Sequence, residues 1–313
     1  MRRLPGILSS VAALALVIQP RGAFPADPTP AVTPSAPSST AKPSLETITV
    51  EARRKLDHEV TDYVAAVVVR YLHDSLVRWN AKVCPLVAGL DRERGEFVLA
   101  RISQNAAAAH APLAGEHCAP NFFVVVTTEP DLLLRKWWRR DRRMFNTNNG
   151  MGAVNRFLQS QRPIRVWHNA TFTSSDGAPL SAESFNSGGF GPGLTMYQNV
   201  PTNTMPDDTR LRHTAVQALG SVIVIVDAKK VQDLNVAQMA DYVSMVGLAE
   251  INPDAELGDT PSILSVFKAS KEPPQGLTSW DRAFLYSLYN TNQASVMQIS
   301  TIKTEMLKQV APR

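Results

Sequence analysis

Ser221 to Tyr289 reads SVIVIVDAKKVQDLNVAQMADYVSMVGLAEINPDAELGDTPSILSVFKASKEPPQGLTSWDRAFLYSLY. Its apolar run from Val222 to Val226 is wholly β-branched, which predicts a buried strand. Residues 235–248 follow with helical spacing. After a long loop, Thr278 and Asp281 form a capping box at the start of a second helix that ends near Leu288 and Tyr289. Strand, helix, loop and closing helix put the chain in the mixed α/β (α+β) class.

Upstream, residues 121–127 (NFFVVVT) are aromatic and β-branched between prolines and predict another strand. Residues 163–173 alternate Ile164, Val166 and His168 against Arg165 and Trp167, the pattern of a half-exposed strand. A long helix is expected over 53–79, where Val60, Tyr63, Val64 and Val67 share one face, with a short strand before it at 47–50. A second helix is expected over 95–109. A third is expected to open at Thr128, with Asp131 three residues on and Pro130 in its first turn. In that helix Leu133, Leu134, Trp137 and Trp138 are expected inward. Arg135, Lys136, Arg139, Arg140, Arg142 and Arg143 line the other side. A short helix is expected over 153–159. Residues 176–208 lack apolar periodicity, and their Gly-rich segment has neither the preceding strand nor the Lys-Ser/Thr of a phosphate loop.

With 313 residues, 44% hydrophobic and 19% charged, the composition is that of a globular protein. Arg2, Arg3 and the apolar run 7–18 read as a signal peptide over 1–26, too short for a comfortable membrane span. Ala23 and Ala26 do not meet the A-x-A spacing, so a retained anchor is the alternative. A Pro/Ser/Thr-rich linker follows over 27–46, then a single globular domain over 47–313, with an upper part (47–248) and a lower part (249–313). Loss of Arg2, Arg3 and Arg21 lowers the formal charge from +4 to +1, which leaves no global field for nucleic acid. In an exported protein Cys84 and Cys118 form one disulfide most simply. The rival is a metal site with His110 and His117, but those spacings lack the tight pairs of zinc motifs.

Val246-Gly247-Leu248, Ser262-Ile263-Leu264 and the spacing of Leu277, Asp281, Leu285, Leu288 and Tyr289 together resemble the catalytic half of a zincin of the metzincin group. The chain is also similar to uncharacterised secreted proteobacterial proteins thought to have a zincin-like fold. The resemblance implies a mixed sheet with a backing helix, an active-site-type helix ending at Gly247, a turn around Leu264 and C-terminal helices. It puts Ala240, Ser244 and Glu250 at the ligand positions and Asp241 at the base position. Ala240 cannot bind a metal, so the resemblance implies a pseudopeptidase with no metal or other cofactor.

Three functions are open on these residues. A degenerate cleft could take a peptide or protein as an added strand. The basic helix, with Arg135, Arg139, Arg140 and Trp138, could meet an anionic envelope surface of lipid or glycan. A hydrolase could use Asp241 and Glu250, with His213 as a further acid–base candidate.

Overall fold

The computed structural model describes residues 45–69, 75–145, 150–174, 213, 215–268 and 272–311. The expected signal segment, nearly all of the linker and the stretch 176–208 lie outside them. The first element is helix α1 (Leu45–Val67), with Val60, Tyr63, Val64 and Val67 buried along one face. Residues 47–50, expected as a strand, belong to this helix, their β propensity overridden by the turns that follow. The helix also stops at Val67, well short of residue 79. The Asn252 N–H donates to the Val67 carbonyl at 2.8 Å and so occupies the acceptor that a further turn would need.

Strand β1 (Arg78–Trp79) comes next, followed by β2 (Pro85–Ala88), helix α2 (Arg92–Ala108) and β3 (Phe122–Thr127). β2 and β3 are parallel, with α2 as their crossover. The Cys84–Cys118 disulfide (Cα–Cα 6.0 Å) ties the residue before β2 to the loop that enters β3. Asn121 supports the same corner, accepting from the Cys84 N–H at 2.8 Å and donating to the Lys82 carbonyl at 3.0 Å.

Helix α3 (Pro130–Arg140) has Glu129 rather than Thr128 at its N-cap and no side-chain cap. The Thr127 hydroxyl takes the Glu129 N–H instead, at 3.1 Å. A 3-10 turn (Arg142–Met144) and helix α4 (Gly150–Gln159) lead to β4 (Ile164–Ser174) and β5 (Ala215–Asp227). The strands run β2-β3-β5-β4, parallel except for the antiparallel β4. Ala218 and Leu219 of β5 pair with β4 on one side and β1 on the other.

Both faces of β5 are covered, as its unbroken apolar run requires. Val222, Val224 and Val226 enter the main core with α1, α2 and the C-terminal helices, whereas Ile223 and Ile225 pack with Leu134, Phe145, Phe157 and Trp167. This second layer also covers Arg165, which is 2% exposed, pairs with Asp131 at 2.7 Å and donates to the Leu158 carbonyl. The strand expected to be half-exposed is therefore covered on its Arg165–Trp167 side.

Helix α5 (Val236–Leu248) opens on the reciprocal Asn235–Gln238 capping box. Beyond it lie a 3-10 turn (Ile263–Ser265), α6 (Ser279–Asn290) with the expected Thr278–Asp281 box, and α7 (Gln298–Val310). Among the described residues no helix is long and apolar enough to cross a membrane.

Candidate functional site

α5 is buried almost all round, and this decides what its polar residues do. Asp241 is fully buried, and both its oxygens are engaged. Oδ1 accepts from Arg101 Nε and Asn105 Nδ2, each at 2.7 Å. Oδ2 accepts from Arg101 Nη2 at 2.8 Å and from the Leu277 N–H at 2.9 Å. Burial alone pushes this carboxyl up, but the Arg101 guanidinium, the Asn105 amide and the Leu277 N–H outweigh it and hold the group below its ordinary range. Ser244, one turn on, accepts from the same Asn105 at 2.9 Å and donates to the Ala240 carbonyl at 2.8 Å. Ala240 itself is wholly buried. The base position, Asp241, and one of the two helix ligand positions, Ser244, meet the same neighbour, Asn105 of α2, while the other ligand position, Ala240, offers no ligand atom. These donors and acceptors do not fit a zinc ion.

The other proposed acid–base groups stand elsewhere. Glu250 lies past the far end of α5, its N–H directed at the Val77 carbonyl. The His213 N–H donates to Ala294 at 2.7 Å, beyond the C-terminus of α6, whereas Leu277 and Asp241 lie at the N-terminus of that helix. The 12 residues of α6 separate the two ends by about 18 Å. Asp241, Glu250 and His213 do not converge. A pocket of about 320 Å³ beside Asn105 and Leu277 has no carboxylate or histidine among its described lining. The rival metal site also lacks its thiolate, since Cys118 is bridged, and His110 Nδ1 lies 2.8 Å from Asn290 Oδ1.

A second buried carboxylate, Asp281, holds the turn. It accepts from Tyr63 Oη at 2.9 Å, Ser262 Oγ at 2.5 Å and the Ile263 N–H at 2.8 Å. Burial pushes it above its ordinary value, against the Ser262, Ile263 and Thr278 donors. Its capping role is legible in sequence; its tie to α1 and the turn is not.

The basic helix presents a different picture. Arg135, Lys136, Arg139 and Arg140 are exposed on α3, and Arg142 and Arg143 continue the patch through the 3-10 turn. Trp138 is half-buried against Phe145, and the Arg142 guanidinium stands 5.2 Å from its ring centre. Among the described residues only Arg143 of these six meets a carboxylate, Asp141 at 3.0 Å. Beside the turn lies an open groove of about 560 Å³, with Arg142 and Arg143 at its edge and Asn169, Thr171, Gly220 and Ser221 along its floor. Arg142 and Arg143 are visible in sequence as part of the stripe. The other four are not, except that Gly220 and Ser221 precede the apolar run of β5.

Comparison of the chain with family models, with curated proteins and with solved structures finds no match.

Proposed function

We propose that the chain is a non-catalytic, exported binding module on a zincin-like framework, meeting an anionic envelope surface through α3. The observation that carries this reading is the run of six cations from Arg135 to Arg143, five of them without a carboxylate partner among the described residues. Cations near an anionic leaflet contribute about 1 kcal/mol each at low salt. The internal use of Asp241 and Ser244 supports the non-catalytic part. The turn held by Asp281 supports the zincin-like framework.

The test is co-sedimentation with phosphatidylcholine vesicles containing or lacking phosphatidylglycerol. Wild-type protein is expected to bind the anionic vesicles and to release as salt rises. Converting Arg135, Lys136, Arg139 and Arg140 to Gln should weaken binding by roughly a hundredfold or more at low salt. Undiminished binding by that variant sinks the surface reading. Stoichiometric zinc with chelator-sensitive proteolysis sinks the non-catalytic one.

A second reading is favoured by β4, whose residues 164–168 pair with β5 and, among the described residues, with no other strand. A peptide or protein segment could add there as a further strand. Peptides selected from a random library should then slow amide exchange at 164–168, and unchanged exchange would reject this mode.

A further inference from the structure

The groove beside Arg142 is built by an irregularity in the sheet. Asn169 pairs with Ser221 and Ala170 with Leu219, so Gly220 is skipped as the extra residue of a bulge. Gly220 and Ser221 consequently both line the groove instead of alternating across the sheet. Asn169 fixes the serine, since its Nδ2 donates to Ser221 Oγ at 2.8 Å and to the Met144 carbonyl at 2.9 Å. The Ser221 hydroxyl proton has no acceptor among the described residues and is available to a ligand. Thr171 adds an exposed hydroxyl across the floor. Arg142 is braced on Trp138, and Arg143 is held by Asp141. No carboxylate is present in the described lining.

Two hydroxyl donors and two guanidinium groups around an open floor match the oxygens of a tetrahedral oxyanion. From this we infer that the groove binds a phosphate group, carried by a lipid headgroup or by a soluble phosphoester. Its volume of about 560 Å³ exceeds what inorganic phosphate fills and leaves room for an attached polar group. The inference rests on the anionic-surface reading for the source of its ligand, and its own site is distinct from the outward face of α3.

The experiment titrates inorganic phosphate and glycerol 3-phosphate into the full chain, following the amide resonances of Gly220, Ser221 and Thr171. Saturable shifts are expected, with the ester binding more tightly. Ser221→Ala and Arg142→Gln should each weaken binding about tenfold, the loss of one hydrogen bond to a charged group. Gly220→Val should abolish it without changing charge. A Cβ at Gly220 meets its nearest atom, the Asn169 carbonyl oxygen, at 3.5 Å, so the strand accommodates it. If that variant fails to fold, Ser221→Ala carries the test. Arg156→Gln, an equal change of charge on α4, should leave affinity unchanged.

Absence of saturable shifts overturns the inference, and so does affinity unchanged within twofold in Ser221→Ala and Arg142→Gln. If Gly220→Val also weakens binding to phosphatidylglycerol vesicles, the phosphate is the lipid's. If it weakens only the soluble ester, the ligand is soluble; either result upholds the groove. Phosphate binding without vesicle binding removes the surface reading alone. Vesicle binding with no response to phosphate removes the groove alone.

Discussion

Asp241 accepts four hydrogen bonds from three partners, and its chemistry follows from that number. A carboxylate so engaged has no lone pair left to activate water, and Gly276 packs against it so closely that a Cβ there would lie 2.4 Å from Oδ2. Its energetic role is to join α2, α5 and the loop before α6. Asp241→Asn should destabilise the protein by about 2 kcal/mol in urea unfolding, below the ~3–5 kcal/mol typical of a buried pair, because Arg101 remains 35% exposed. The folded-state pKa is depressed, so the stabilisation is fully present above the unfolded value and is lost as pH falls through the folded one. The stability gap between wild type and Asp241→Asn should therefore be constant above about pH 5 and narrow below about pH 4. A gap independent of pH would show that folding leaves the Asp241 pKa unshifted, and a gap that widens as pH falls would show that it is raised.

At the scale of elements, Gly247 shows how one residue can suit two readings. The sequence places it at a helix end. In the fold it lies inside α5, which runs to Leu248, and its missing side chain makes room for the Phe122 ring of β3. A Cβ there would stand 2.0 Å from Phe122 Cζ. The Gly247 carbonyl also accepts from Trp79 Nε1 at 2.8 Å, which ties β1 to the same spot. Gly247→Ala should cost about 3 kcal/mol, at the upper end for overpacking. Adding Phe122→Leu should recover part of it, giving a favourable coupling in a double-mutant cycle. Additive costs would mean the contact is not what the glycine serves.

For the molecule as a whole, the disulfide closes the β2-α2-β3 unit at the strand starts, its two cysteines 34 positions apart in sequence. By loop-closure entropy this contributes about 3–4 kcal/mol. The double variant Cys84→Ser/Cys118→Ser should lose that amount in guanidinium unfolding, and wild type in excess reductant should unfold like the variant. Equal stability of oxidised and reduced wild type would show that the crosslink does not stabilise the fold. The second layer of α3 and α4 has a consequence at this scale too. By covering the Arg165–Trp167 side of the sheet, it fixes α3 with its apolar side inward and its four cations outward.

Much of the architecture follows from the order of residues alone. The apolar run of β5, the aromatic strand β3, the Asn235 and Thr278 helix starts and the basic stripe of α3 are local patterns, set by side-chain period and capping chemistry. Where partners distant in sequence intervene, the local pattern is insufficient. Asn252 ends α1 early, Arg165 is buried by helices that precede it, and β2 is a strand only because β3 and α2 flank it. The candidate sites divide in the same way. Ala240 and Ser244 rule out imidazole ligands on sequence alone, but only the fold turns Asp241 onto Arg101. It also separates Asp241 from Glu250 and His213, and gathers Arg142, Thr171, Gly220 and Ser221 around one groove. Residue identity and period determine the elements. Contacts across tens to hundreds of residues, which no local pattern encodes, decide which polar groups are consumed by the fold and which are left to meet a ligand.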